Sequence, residues 1–364
     1  MSLLNRFRRD SITDPLILHD RPDANPNHPP ERAPLRRQRS AARWLIQSVA
    51  LLVVAVFLTL AVKHALDQLR LSPDELAWQR IQWPPLVLGF LLSVAALFPS
   101  GIAWLRTLRD FRLAVPVEQG AYAYFLGHLG KYVPGKAMAI LLRVGYLHRL
   151  GVPVRPTILS VFIETLTSLV SGSILGALLL QTMSVPLWLR GCAVACIPLA
   201  AAALAPKPFR WLIGHISRSR LGAMPAHIVE AIGWRLMLRC AVWSVIGWLL
   251  HGTAAWLLLI AIRPEPELAT WQAWSACVAS MSLAALAGFL SMIPGGAGVR
   301  ELVATWFIAS LVPTPVALAL AVATRLIGIA AELTVVGLLA IWIHVIPRFR
   351  GPQGTPPAAQ ERGI

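Results

Sequence analysis

Long apolar segments separated by short polar stretches run through most of this 364-residue chain. A helix needs about 20 residues to cross the ~30 Å hydrocarbon layer of a membrane. Six apolar segments come close to that length or exceed it, at residues 44–62, 84–105, 157–180, 187–205, 240–262 and 315–346. Three others, at 121–142, 272–293 and 299–312, are short or interrupted by proline and glycine. The pattern predicts an all-α polytopic membrane protein with about six full spans.

Both ends of the chain lack this pattern. Residues 1–43 contain six prolines, many arginines and almost no apolar run, so they cannot bury enough surface to fold alone. We expect a disordered cytoplasmic arm there and a second disordered segment at 347–364. The first apolar run, 44–62, is too long for most signal-peptide cores and lacks a convincing cleavage site, which favours a retained span.

Composition agrees with a membrane location. Only 14% of the residues are charged, about half of the roughly 25% found in soluble domains, which excludes an ordinary soluble enzyme. The net charge of +16 is compatible with nucleic acid or with anionic lipid, and the apolar excess decides for lipid, so we expect no nucleic-acid partner. The four cysteines show no metal-ligand spacing, and we expect no disulfide framework, zinc site or cofactor.

The basic residues predict the orientation of the spans. Four segments, 1–43, 105–156, 206–239 and the tail after Pro347, hold 26 of the 33 lysines and arginines. The alternate loops hold five. By the positive-inside rule both termini are predicted to be cytoplasmic, and an even number of crossings agrees with this.

Labelling of introduced cysteines tests this orientation. With the native cysteines replaced by serine, Arg220→Cys should react with a membrane-impermeant maleimide only from the cytoplasmic side. Glu267→Cys should react only from outside, because its loop carries few basic residues. Reaction of Arg220→Cys in intact cells would contradict the predicted topology.

Within the third basic segment, four apolar side chains recur at helical spacing: Phe209, Leu212, Ile213 and Ile216. They are compatible with a helix that lies on the membrane surface and binds anionic headgroups. A solvated basic loop that only sets the topology is an equal alternative.

Two interruptions suggest an internal repeat. They are Gly130–Lys136, with sequence GKYVPGK, and Ile293–Glu301, with sequence IPGGAGVRE. Pro134 and Pro294 are 160 positions apart, and the same offset relates the spans near 84 and 240 and those near 157 and 315. We therefore predict two halves, 44–180 and 187–346. Each half has three crossings, so the second is inverted relative to the first.

Inverted repeats with such interruptions are typical of transporters, whose sites lie near the midplane. Backbone groups freed by proline and glycine cannot face lipid and must line a cavity or pack inside the protein. Helix starts at these positions also favour an anion. We expect two re-entrant hairpins, 119–150 entering from the cytoplasm and 271–313 from outside; two closely packed kinked helices are the alternative.

The two motifs also carry a family resemblance. The runs FLGHLGKYVPGKAMAILLR and AALAGFLSMIPGGAGVREL resemble the paired signatures of the lysylphosphatidylglycerol synthase transmembrane region, also called the flippase-like domain. The resemblance covers about residues 44–346. It implies a protein of the bacterial inner membrane that moves phospholipids or other lipid-linked molecules between leaflets. One departure is Glu164-Thr165, where relatives often carry Glu-Arg.

Full-length synthases of this family add a soluble domain that transfers an amino acid to the lipid. No such domain follows residue 346, so we expect no enzyme activity. The leading hypothesis is a flippase for an anionic phospholipid or lipid-linked substrate that works by alternating access. The alternatives are a membrane-embedded enzyme or accessory factor of lipid, hopanoid or glycolipid biosynthesis, and a scaffold subunit. Membrane lipids are the expected partners, with lipid-biosynthesis enzymes as further candidates.

Ionisable residues inside apolar segments mark the candidate site, since each costs about 2.5–3.5 kcal/mol at the bilayer centre. Glu164 shares a helical stripe with Thr167, Ser168 and Ser171, while Arg325, Gly328 and Glu332 form another. The 160-residue offset carries Glu164 next to Arg325, which predicts a buried pair between them. Such a pair is at least as compatible with a purely structural role as with transport.

Lys131, Lys136 and Arg143 suit a phosphate headgroup, with ordinary inside-positive topology as the alternative. His128 and His148 are interpreted as interfacial, and no residue is predicted to be catalytic or to bind metal. The candidate substrate-binding residues are Lys131, Tyr132, Pro134, Gly135, Lys136, Arg143, Glu164, Pro294, Gly295, Gly296, Gly298, Arg300, Glu301, Arg325 and Glu332.

Overall fold

The computed structural model describes Thr59, Lys63 and residues 81–132, 137–216 and 224–344. The predicted arm and tail, and the first span apart from Thr59, lie outside the described residues. Every regular element in the described part is a helix, which confirms the all-α fold class. The α-helices are α1 (Trp83–Ala95), α2 (Phe98–Asp110), α3 (Val117–Leu129), α4 (Ala137–Arg149), α5 (Val154–Leu179), α6 (Leu187–Ala203), α7 (Pro206–Ile216), α8 (Ala226–Ala231), α9 (Trp234–Ile262), α10 (Trp271–Leu290), α11 (Val299–Ile308) and α12 (Thr314–His344).

Within the described ranges, five segments are long and apolar enough to cross a membrane: Trp83–Asp110, Val154–Thr182, Trp234–Ile262, Trp271–Leu290 and Thr314–Ile343. They confirm a polytopic membrane protein. The first of them combines α1 and α2, which meet at a break where Pro99 occupies the first turn of α2.

Two segments differ from the predicted spans. Residues 187–205 were predicted to form a full span, but α6 has only 17 residues and contains Pro198. Residues 272–293 were predicted to be short or broken, but α10 is a continuous helix of 20 residues. Proline disfavours helical backbone at the residue before it, and Pro294 lies far enough beyond Leu290 to leave α10 intact.

The order of helices agrees with the predicted 160-residue offset. In each half a long helical segment is followed by a helical hairpin with the Pro-Gly motif between its arms, and then by a second long helix. That second helix begins at Val154 in one half and at Thr314 in the other. The packing is also reciprocal, because α3 contacts α12 while α10 contacts α5.

The long segments that precede the two hairpins, α1 with α2 in the first half and α9 in the second, pack antiparallel. The backbone N–H of Gln82, before α1, donates a hydrogen bond of 3.0 Å to the carbonyl of Ala261 near the end of α9. At the other end, Arg239 near the start of α9 forms an ion pair with Asp110 at the end of α2. Opposite directions of α1 and α9 are what inverted halves require, while the inversion of the complete halves stays a prediction.

The amphipathic α7 directs its apolar face into the protein. Phe209 is 5% exposed and stacks on Phe162 with 6.0 Å between the ring centroids. Ile213 packs against the same cluster of buried side chains, which includes Ile228 and Ile232 from the segment that follows. At Phe209 and Ile213 the apolar face of α7 therefore buries area against α8 and its neighbours. The side chains of Leu212 and Ile216 lie outside the described residues.

Candidate functional site

A charged cavity lies where the two interrupted hairpins meet. Its volume is about 60 Å³. The turn at Gly130–Tyr132 contributes one wall, and α9 to α12 contribute the others. The polar side chains that line it are Lys131, Tyr132, His251, Arg300, Glu301, Thr324, Arg325 and Glu332. The site therefore combines residues of both halves.

A second cavity of about 160 Å³ adjoins the first. Lys131, His251, Arg300 and Glu332 line both of them. The second cavity extends towards the break between α1 and α2 and is also lined by Ala96, Leu97, Ser100, Tyr124, His128, Ser168, Ser244, Gly247, Trp248 and Ala285. Together the two cavities form a polar space inside the helix bundle.

The Glu332 carboxylate, in the second half, forms polar contacts with residues of the first motif. Its side chain is almost fully buried, with the residue 3% exposed, on α12. Lys131 Nζ pairs with Glu332 Oε1, and the Tyr132 hydroxyl donates a hydrogen bond of 3.0 Å to Glu332 Oε2. His128 Nδ1 lies 3.6 Å from Glu332 Oε1. Two donors, Lys131 and Tyr132, and the nearby His128 ring thus approach the carboxylate from the hairpin of the other half.

Glu301 and Arg325 form a looser pair within the second half. Glu301 Oε2 accepts a hydrogen bond of 2.8 Å from the backbone N–H of Gly298, which caps the start of α11. Its other oxygen, Oε1, lies 3.7 Å from Arg325 Nε, beyond hydrogen-bond distance. The Arg325 guanidinium lies 5.4 Å from the centroid of the Tyr132 ring, within the range of a cation–π contact.

The corresponding pair of the first half is tight and lies apart from the first cavity. Arg143 Nη1 donates a hydrogen bond of 2.9 Å to Glu164 Oε2. The guanidinium carbon of Arg143 lies 4.3 Å from the centroid of the Tyr124 ring and 5.2 Å from that of Trp104. Tyr124 also approaches Glu164 Oε1 at 3.5 Å.

The predicted pair between Glu164 and Arg325 is wrong. Each residue instead pairs with a charge on the return helix of the hairpin in its own half, Arg143 on α4 and Glu301 on α11. The reason is packing, since α4 lies against α5 and α11 against α12. Each pair joins the return helix of a hairpin to the long helix that follows it, with reversed polarity. The carboxylate is on the long helix in the first pair, and the arginine is on the long helix in the second.

Glycines of the second motif make room for two arginines. Gly295 and Gly296 have φ angles of 59° and 66°, in the region that favours glycine. A Cβ atom on Gly295 would lie 2.6 Å from Arg325 Nη2. A Cβ atom on Gly296 would lie 2.8 Å from the Cα of Gly288 and 3.0 Å from Arg300 Cγ. The motif therefore supplies both a backbone turn and space for the guanidinium side chains.

Six of the candidate residues meet at the first cavity: Lys131, Tyr132, Arg300, Glu301, Arg325 and Glu332. Pro294, Gly295 and Gly296 form the turn before α11, and Gly298 is its N-terminal cap residue. Arg143 and Glu164 form the separate pair described above. Pro134, Gly135 and Lys136 lie outside the described residues.

Among the lining residues that sequence reasoning missed, three have titratable side chains: His128, His251 and Tyr124. His128, interpreted as interfacial, lies beside Glu332, and its position three residues before Lys131 was a usable signal. His251 lies inside the span formed by α9 and lines both cavities, so the cost of an ionisable group at that depth would have identified it. For Tyr124, the only sequence signal is that it lies a few residues before the first motif.

Comparison with known proteins agrees with this architecture. The family described as the lysylphosphatidylglycerol synthase TM region matches residues 45–337. The matched range contains both interrupted motifs and every residue that lines the two cavities. No curated protein matches the chain.

Proposed function

Because this chain belongs to the family of the lysylphosphatidylglycerol synthase TM region, we propose that it moves an anionic phospholipid or lipid-linked molecule between the leaflets of the bacterial inner membrane. The family supports a lipid-related function in a membrane, and translocation is the proposed activity. The headgroup would pass through the two adjoining cavities while the acyl chains stay in the bilayer.

The observation that carries this proposal is the charged cavity between the membrane-spanning helices. Ionisable residues at this depth are costly, so their concentration around one space indicates contact with a polar ligand. Arg300 lines both cavities and forms no ion pair with any residue in the described ranges. Its planar guanidinium is therefore available for a phosphate group, which it can bind with two parallel hydrogen bonds.

Walls contributed by both halves also support alternating access. Lys131 and Tyr132 belong to the hairpin of the first half, whereas Arg300, Arg325 and Glu332 belong to the second. Rocking of one half against the other would move these walls apart on one side of the membrane and together on the other. The Glu332 contacts with Lys131 and Tyr132 would be remade in each cycle.

Translocation of labelled lipid in proteoliposomes tests the proposal. The protein is reconstituted with phosphatidylglycerol bearing a fluorophore, and loss of signal to an impermeant quencher reports the outer-leaflet fraction. Arg300→Gln is expected to slow translocation roughly ten- to hundredfold, because charge-assisted hydrogen bonds to the headgroup are lost. Arg155→Gln, at an exposed arginine near the start of α5, should match the wild-type protein.

Analysis of the recovered lipid separates this function from the membrane-enzyme alternative. Movement of phosphatidylglycerol without a new product supports the translocase. Equal rates for Arg300→Gln and wild-type protein at equal reconstitution would contradict a path through these cavities. Conversion of the lipid without movement would instead favour an enzyme.

A further inference from the structure

The two arginine–carboxylate pairs, one in each half, differ in how many of their polar atoms form hydrogen bonds. Arg143 donates a hydrogen bond from Nη1 to Glu164, and among its buried nitrogen atoms only Nε lacks a partner. Arg325 lacks a hydrogen-bond partner at both Nε and Nη1, and the facing Glu301 Oε1 lacks one too. The arginine of the second half therefore lies beside a carboxylate without a hydrogen bond to it.

Arg325, which carries these unsatisfied atoms, lines the first cavity. The side chain of Arg325 is 7% exposed, so water reaches little of it. Buried donors of native proteins are nearly always hydrogen-bonded, and one without a partner calls for a ligand or another explanation. The guanidinium fork matches the two oxygens of a phosphate or carboxylate.

The charges around this cavity limit the net charge of the ligand that it can bind. Among the described residues that line it, three side-chain cations (Lys131, Arg300 and Arg325) face two carboxylates (Glu301 and Glu332). One negative charge on the ligand therefore neutralises the site. A phosphate diester carries one negative charge, whereas a phosphate monoester carries about 1.5 to 2 near neutral pH.

Glu301 adds one negative charge to the cavity without forming a hydrogen bond to Arg325. Its Oε2 is held by the Gly298 N–H, and its Oε1 remains 3.7 Å from Arg325 Nε. The carboxylate therefore contributes its charge to the cavity while Arg325 Nη1 has no hydrogen-bond partner. Glutamine at this position could still accept the hydrogen bond from Gly298 through its side-chain oxygen.

From this arrangement we propose that Arg325 and Arg300 form a subsite for the phosphate diester of a phospholipid headgroup. Glu301 restricts this subsite to a single negative charge. The inference rests on the proposed function for the identity of its ligand as a lipid. Its test measures binding rather than transport, so that the two can fail separately.

Binding is measured by native mass spectrometry on the purified full chain in neutral detergent, at about pH 8, above the second phosphate pKa of ~6. The probes are phosphatidylglycerol, phosphatidic acid and diacylglycerol with identical acyl chains. The wild-type protein should prefer phosphatidylglycerol to both others. Arg325→Gln should weaken phosphatidylglycerol binding about ten- to hundredfold, and Arg155→Gln should leave it unchanged.

Two further variants keep the test decisive if Arg325→Gln fails to fold. Arg325→Lys retains the positive charge but lacks the planar guanidinium that can bind two phosphate oxygens at once. The variant should therefore fold, and it should bind phosphatidylglycerol more weakly than the wild-type protein does. Glu301→Gln raises the positive surplus and should shift the preference towards phosphatidic acid. Unchanged binding in Arg325→Lys, or an unchanged preference in Glu301→Gln, would overturn the inference, as would equal wild-type binding of diacylglycerol.

Competition identifies the source of the diester. Glycerophosphoglycerol is the deacylated form of phosphatidylglycerol and carries the same diester. Displacement of the lipid only at large excess supports a headgroup subsite, whereas displacement at equal concentration would assign the site to a soluble diester and overturn the lipid assignment. Binding that depends on Arg325, without any translocation in liposomes, would leave this inference standing and contradict the proposed function alone.

Discussion

Replacing Glu164 by glutamine is expected to destabilise the folded protein by about 3–5 kcal/mol, because Arg143 would remain as a buried charge without its counter-ion. Glu164 is 7% exposed and Arg143 is 5% exposed, so solvent screens the pair only weakly. Arg143→Gln should be similarly harmful, while the double variant should lose less stability than the two single variants added together. Chemical denaturation in mixed micelles measures these differences.

The matched control is Glu118→Gln, which removes an exposed carboxylate from the first turn of α3. It should change stability by less than ~1 kcal/mol. Glu164→Gln combined with Arg325→Gln should be additive, because those residues belong to different pairs. Additivity for Arg143 and Glu164, or strong coupling between Glu164 and Arg325, would contradict the arrangement of the two pairs.

Gly296→Leu is expected to abolish activity and reduce the amount of folded protein. The new side chain would need a φ near 66° and would collide with the Gly288 backbone and the stem of Arg300. A bulky residue at a positive φ costs of order 1–3 kcal/mol before the collision is counted. The readouts are the recovered monodisperse protein and the rate of lipid translocation.

Gly145→Leu provides the control, since a Cβ atom at this exposed position of α4 meets no atom within 4 Å. It should preserve both yield and rate, because leucine is a better helix former than glycine. Wild-type translocation in Gly296→Leu at normal yield would show that the turn tolerates a side chain. Glycine at position 296 would then not be required for the turn or for the space that Arg300 occupies.

The sequence predicted the long helices well. Residues 157–180, 240–262 and 315–346 correspond to α5 (Val154–Leu179), α9 (Trp234–Ile262) and α12 (Thr314–His344). An uninterrupted run of about 20 apolar residues has few alternatives to a membrane-spanning helix, because every backbone group must be hydrogen-bonded in lipid. The interrupted motifs were also informative, since proline and glycine restrict or release particular backbone angles.

Side-chain partners were much less predictable. The 160-residue offset relates Glu164 to a position beside Arg325, but equivalent positions of a repeat need not touch. The observed partners, Arg143 and Glu301, depend on how each hairpin returns against the helix that follows it. Likewise, no periodicity reveals that Phe209 and Ile213 of α7 pack against other helices, because a protein core and a membrane surface favour the same apolar face.

The most direct test of the central claim is the accessibility of the first cavity from the two sides of the membrane. Thr324, which precedes Arg325 in the sequence, lines that cavity. A cysteine can be introduced there after the native cysteines are replaced by serine. In proteoliposomes of known orientation, Thr324→Cys should react with an impermeant maleimide added to either side, and phosphatidylglycerol should slow both reactions. Reaction from one side only, while the same vesicles translocate lipid, would contradict alternating access through this cavity.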